Sequence, residues 1–345
     1  MKYAVLQKKN FDKFVMSLLQ KTTVVAPVAK GNNQYSFEEI SSSSDIALKY
    51  IPTILPPKKY FMPQYETLAE YDVSRGKQTM QAVVEYEEMV LFGVHTCDLA
   101  GIQNLNVVFS GKTNDPNYLT RKRNILLIGL ECNDYCDEYA SCHLMGNDLP
   151  NGGYDLFFTD IGDYFMIHIN TMEGESLLEK CCGIKEADAD NLLALKNLRE
   201  KKRKIFHNEI QITAKRLPEI FGKSYDSKVW DNLGDRCLGC ASCTNVCPTC
   251  YCFDVEDDPD LDLQTGKRIR VWDSCQNDPF AKVAGGEDFR KTRAARQKHR
   301  YYRKFKFPIE KYDRFFCTGC GRCSRGCMAN INLKETLDSL VKENI

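Results

Sequence analysis

Two cysteine runs near the C-terminal end constrain this chain more than any other feature. Cys237, Cys240, Cys243 and Cys247 read C-x2-C-x2-C-x3-C before Pro248; Cys317, Cys320, Cys323 and Cys327 repeat the spacing before Met328. This is the spacing of bacterial [4Fe-4S] ligation, in which three thiolates of a run hold one cubane and the fourth reaches the other. The expected sets are Cys237, Cys240, Cys243 with Cys327, and Cys317, Cys320, Cys323 with Cys247. Crossed ligation makes the clusters neighbours, which suits the passage of one electron at a time. The small residues in Cys237-Leu-Gly-Cys-Ala-Ser-Cys and Cys317-Thr-Gly-Cys-Gly-Arg-Cys let backbone N–H groups approach sulfur and tune the potential.

Other uses of so many cysteines fit poorly. Zinc favours two separated Cys or Cys/His pairs that close a tetrahedron. Disulfides need an oxidising compartment, and residues 1–9 hold no apolar signal core, so the expected setting is a reducing cytoplasm. Lysine plus arginine equals aspartate plus glutamate at 47 each, which gives no general attraction to nucleic acid or an anionic membrane. No apolar stretch approaches the roughly 20 residues of a membrane span. There is no G-x-G-x-x-G after a strand and no P-loop, so no flavin or nucleotide site is expected in this chain.

Upstream, residues 3–6 read as a strand, followed by an amphipathic helix with Phe11, Phe14, Val15, Leu18 and Leu19 on one face. Residues 23–28 and 35–40 flank Gly31-Asn32-Asn33 as a hairpin. Pro56-Pro57 and Pro63 break the chain into extended pieces. Residues 89–94 and 125–130 are continuous apolar runs separated by a helical segment, the pattern of a buried parallel pair. Their ends bring Cys97 and Cys132 to one sheet edge, where open α/β sheets bind ligands. Residues 154–159 and 164–169 form a second hairpin, and 186–208 a long helix packed through Leu192, Leu193, Leu195 and Leu198. Cys181 and Cys182 read as structural, because adjacent side chains on a helix point apart.

The two runs lie about 70 residues apart, with an acidic stretch over 254–262 and a basic, helical stretch over 290–306 between them. The basic residues read first as a solvated helix face, and alternatively as a dock for an acidic partner or as charges that raise cluster potentials. The closing helix offers Ile331, Leu337, Leu340 and Val341 for packing. The fold class expected is α+β: a mixed α/β N-terminal domain over 1–225, then an α-helical dicluster ferredoxin domain over 226–345 that binds two [4Fe-4S] clusters.

With these features in order, the chain resembles the β, iron-sulfur subunit of cytoplasmic sulfhydrogenases and the A subunit of anaerobic sulfite reductase. The carrying residues are Pro56-Pro57-Lys58-Lys59, Phe92-Gly-Val-His-Thr-Cys97-Asp98 and Tyr154-Asp-Leu-Phe-Phe. They continue with Cys247-Pro-Thr-Cys250-Tyr-Cys252, Trp272-Asp-Ser-Cys275, Val283-Ala-Gly-Gly-Glu-Asp-Phe-Arg290 and the second run, so nearly the whole chain is covered. A similar subunit accompanies flavin oxidoreductases that feed heterodisulfide reductases. The resemblance implies electron relay between a flavin/NAD(P)-binding subunit and a catalytic oxidoreductase subunit, with anaerobic metabolism as the setting. Met328 departs from the usual Cys-Pro.

The resemblance also bears on the remaining cysteines. Cys97, Cys132, Cys136 and Cys142 form a candidate third cluster set at the sheet edge, although family members carry Cys-x-Cys where this chain has Ala140-Ser141-Cys142. Cys136 would substitute from within the same loop. Cys250, Cys252 and Cys275 form another candidate set, with a fourth ligand borrowed from elsewhere. For both sets the plain alternative is buried thiols, and one shared site drawing on both domains is a further one. His95 and His143 flank these ligands as hydrogen-bonding neighbours or unusual ligands. Two other functions stand beside the relay: a catalytic subunit whose N-terminal cluster binds substrate, and a redox-sensing cluster protein.

Overall fold

The computed structural model describes residues 2–76, 78–112, 114–181, 183–206, 210 and 212–344. The strands are β1 (Lys2–Gln7), β2 (Thr23–Ala29), β3 (Tyr35–Glu39), β4 (Tyr65–Asp72), β5 (Thr79–Ala82) and β6 (Met89–Val94). They continue as β7 (Ile125–Leu130), β8 (Leu156–Asp160), β9 (Tyr164–Ile169), β10 (Ile184–Glu186), β11 (Phe253–Pro259) and β12 (Thr265–Trp272). Helices α1 (Phe11–Leu19), α2 (Thr96–Phe109), α3 (Pro116–Asn124), α4 (Met172–Glu179) and α5 (Ala189–Ile205) accompany the first ten strands. Then come α6 (Leu217–Lys223), α7 (Val229–Arg236), α8 (Ser242–Asn245), α9 (Arg293–Phe305), α10 (Phe307–Tyr312), α11 (Arg322–Arg325) and α12 (Leu333–Asn344).

The two apolar runs pair parallel as β6 and β7, with Val90 opposite Leu126 and Phe92 opposite Ile128. Every residue of β6 is buried, as a strand covered on both faces requires. They lie inside an eight-stranded mixed sheet of order β10-β1-β9-β8-β7-β6-β2-β3. The hairpins β2–β3 and β8–β9 are antiparallel. The apolar face of α1 closes one side, where Phe11 and Phe14 meet Phe92, Phe158 and Phe165.

Three expectations are corrected. Helix α5 buries Leu195 and Lys202, while Leu192 is 44% and Leu193 53% exposed. The helix reaches the sheet through one narrow stripe, Leu195 against Val5 and Met166. Its C-terminal half turns inward through charge, with Arg199 and Lys202 on Glu131. Asn208 and Cys182 lie outside the described residues. The acidic stretch between the cysteine runs is strand β11 in a hairpin with β12, so the part over 226–345 is not wholly helical. Strand β12 pairs with β4 in a four-stranded sheet, order β11-β12-β4-β5, that hydrogen-bonds the two halves of the chain together. Buried Arg270 and Arg121 both pair with Glu66 beneath it. The basic helix α9, finally, is not a solvated face: Arg296, Arg300 and Lys304, four residues apart on one side of the helix, are all buried.

A second core lies under the cysteine runs. Trp230, Tyr301, Tyr302 and Phe305 pack there with Phe221, Ile331, Leu337, Leu340 and Val341.

Candidate iron–sulfur centres

Each cysteine run folds the same way. Gly239 and Gly319 take φ of 68° and 73°, and Ala241 and Gly321 take 62° and 74°. These left-handed residues turn the chain tightly between cysteines and start the short helices α8 and α11. Only a small residue fits at the second position, and nothing larger than hydrogen fits at Gly319. A Cβ on Gly319 would lie 2.4 Å from the backbone nitrogen of Cys142, whose neighbour Ser141 donates its N–H to the Gly319 carbonyl at 2.8 Å.

The structure brings Cys327 to the first run and Cys247 near Cys317 of the second. One cavity is lined by Cys237, Cys240, Cys243 and Cys327, with Cys323 at its wall. N–H donors already point at its sulfurs: Gly239 to Cys237 Sγ at 3.3 Å, Gln297 Nε2 to the same sulfur at 3.0 Å, and Ile331 to Cys327 Sγ at 3.4 Å. Such donors stabilise thiolate charge and set cluster potential. In the second set, burial pushes the Cys317 thiol up, and the thiols that also raise it are Cys323, Cys320 and Cys247. Among the described residues no three His, Cys, Asp or Glu side chains gather closely enough to hold a single metal ion. The cysteines of the first set instead stand around a space, as ligands of a polynuclear group do.

Cys97, Cys132, Cys136 and Cys142 also come together. Cys97 lies in the first turn of α2, Cys132 just past β7, and the other two in the loop that follows. Burial raises all four thiols, with Cys142 pushed up to about 12; Cys136 feels Cys132 and Cys142, and Cys97 feels Cys136 and Cys320. His95 beside them is stacked on Tyr50 at 3.8 Å, and its Nδ1 has no partner among the described residues. Burial lowers its pKa to about 3, so the ring is neutral. His143 instead meets Asp148 at 3.1 Å.

Buried ion pairs brace this set, and no local pattern in the sequence points to them. Arg322, between Cys320 and Cys323, holds Asp98 through two bonds of 2.5 and 2.7 Å and reaches the Thr53 carbonyl at 2.6 Å. Lys202 and Arg199 hold Glu131, next to Cys132, with Thr159 donating at 2.8 Å. Cys250, Cys252 and Cys275 form a separate group on the far side of Cys247, facing Lys304 and Arg300. Lys58, from the Pro-Pro-Lys-Lys motif, donates to the Cys250 carbonyl at 2.7 Å. Cys181 is buried away from all these groups, with Ser17 Oγ at 3.1 Å.

Residues 236–331 match the 4Fe-4S dicluster domain, a domain that carries two [4Fe-4S] clusters. The chain is also 35% identical to the sulfhydrogenase 2 subunit beta of Pyrococcus furiosus over 341 residues, 99% of this chain and 98% of the relative. The chain belongs to the sulfhydrogenase β-subunit family. As a member of that family it is an iron–sulfur protein of the oxidoreductase type, and its matched stretch contains both cysteine runs, the hairpin between them and helix α9. No helix among the described residues is long and apolar enough to cross a membrane.

Proposed function

We propose that this chain is the iron–sulfur electron-transfer subunit of a multi-subunit cytoplasmic oxidoreductase. It relays single electrons between a flavin/NAD(P)-binding subunit and a catalytic subunit of hydrogenase, sulfite reductase or heterodisulfide reductase type. The observation that carries this reading is that each run's fourth cysteine lies near the other run, Cys327 at the cavity of the first and Cys247 near Cys317 of the second. Cys237, Cys240, Cys243 and Cys327 would hold one [4Fe-4S] cluster, and Cys317, Cys320, Cys323 and Cys247 the other. When bound, the clusters supply the redox chemistry. The chain's own residues place them and aim N–H donors at the ligand sulfurs of the first.

Cys97, Cys132, Cys136 and Cys142 would hold a third [4Fe-4S] cluster in the N-terminal domain, next to the second through Cys320 and Arg322. The first cluster would meet solvent: Cys240 is exposed, and Leu238 and Met328, each following a ligand of that set, are 63% and 80% exposed. Electrons would thus run between a buried end in the N-terminal half and an exposed apolar end suited to a docked partner. Anaerobic native purification with partner identification tests the relay. The expected result is co-purification of a flavin subunit and a catalytic oxidoreductase subunit. A chain that emerges alone, fully loaded with iron and reducible only when a small-molecule substrate is added, contradicts it.

A further inference from the structure

The cavity beside Cys247 has no part in the relay just described. It is lined by Cys250, Cys252, Cys275, His299, Arg300 and Lys304, among others. Cys252 and Cys275 are in side-chain contact with each other, and Cys250 with Cys247. The walls are strongly cationic. Lys304 Nζ lies 3.3 Å from Cys250 Sγ and 2.6 Å from Thr249 Oγ1. Lys58 Nζ sits 4.0 Å over the Trp272 ring, besides its bond to the Cys250 carbonyl. Arg300 meets Gln297 Oε1 at 3.4 Å, and its Nε has no partner among the described residues.

These three cations are 3%, 5% and 6% exposed for Lys58, Arg300 and Lys304. Among the described residues no ion pair joins any of them to a carboxylate, and no aspartate or glutamate lines the cavity. Other buried cations of the molecule are paired: Arg121 and Arg270 with Glu66, Lys202 with Glu131, Arg322 with Asp98. Buried charge without a counter-charge is strongly unfavourable. Burial bears on all three, and the thiols that face them are Cys243, Cys323 and Cys250 for Arg300, Cys247, Cys250 and Cys317 for Lys304, and Cys250, Cys247 and Cys252 for Lys58. The crossed sets account for Cys243, Cys247, Cys317 and Cys323; Cys250, which belongs to neither, acts on all three cations, and as a cluster-bound thiolate it would complete their counter-charge.

We propose that Cys250, Cys252 and Cys275 hold a further [4Fe-4S] cluster in this cavity, with Lys58, Arg300 and Lys304 as its counter-charge. The three thiols give up their protons on binding iron, and three thiolates around a doubly positive core leave a net negative group. The set supplies three ligands, so the fourth iron takes a non-thiolate donor. The inference rests on the crossed-set reading only in that Cys247 is already committed to the second run.

Iron-specific anomalous density, measured on crystals of the unaltered chain grown anaerobically, tests this directly. The expected result is iron density bridging the Sγ atoms of Cys250, Cys252 and Cys275, separate from density at the crossed sets. Density at the crossed sets with none in this cavity overturns the proposal and leaves the relay standing; no density at the crossed sets would instead count against the relay. In solution, Cys252→Ser and Cys275→Ser should each lose about four irons per chain while both ferredoxin-type signals persist in the electron paramagnetic resonance spectrum. Lys304→Met should keep the iron and shift the midpoint potential of the added cluster downward. Full iron retention in both serine variants contradicts the assignment.

Discussion

Asp98 and Arg322 join the sheet edge to the second cysteine run through a fully buried bidentate pair. Removing one partner leaves the other charged and desolvated. Asp98→Ala should therefore cost about 3–5 kcal/mol of unfolding free energy, read by chemical denaturation, and adding Arg322→Met should recover most of that loss. Gly319→Ala tests a contact rather than a charge. Its Cβ would collide with the backbone of Cys142, so the variant should bind less iron and unfold earlier than a Gly76→Ala control, whose site is open. The run cysteines were legible because cluster geometry dictates their spacing. Arg300 and Lys304 were not, since a basic residue at helical spacing has the same appearance whether its face meets water or thiols. Only the packing of Trp230, Tyr301 and Phe305 decides which side of α9 turns inward.

At the level of elements, β6, β7 and both N-terminal hairpins could be read from apolar runs and turn residues. The hairpin β11–β12 could not, because every residue of β11 is exposed and its acids show no period-two apolar pattern. Its pairing with β4 has a mechanical consequence. Cleavage near residue 210 should not separate the two parts, because the β4–β12 ladder and the Glu66 pairs span the cut. After limited proteolysis the two fragments should elute together in size-exclusion chromatography under native conditions and separate only in denaturant. Elution as two independent species would show that the ladder does not hold the halves together.

Across the whole molecule, the cysteine groups lie one after another as electrostatic neighbours. Cys97 of the sheet-edge set feels Cys320 of the second run, the fourth cysteine of each run lies near the other run, and the first run opens to solvent at Cys240. A chain built for storage or sensing has no need of such continuity, whereas a relay does. Neighbouring paramagnetic clusters broaden one another's resonances, and a relay must fill reversibly. The most direct test is an anaerobic potentiometric titration of the purified chain followed by electron paramagnetic resonance. Stepwise, reversible one-electron reduction is predicted, with signals that broaden through spin coupling as the second cluster fills. Clusters that titrate as isolated, uncoupled centres, or that are destroyed on reduction, would contradict electron relay through adjacent cubanes.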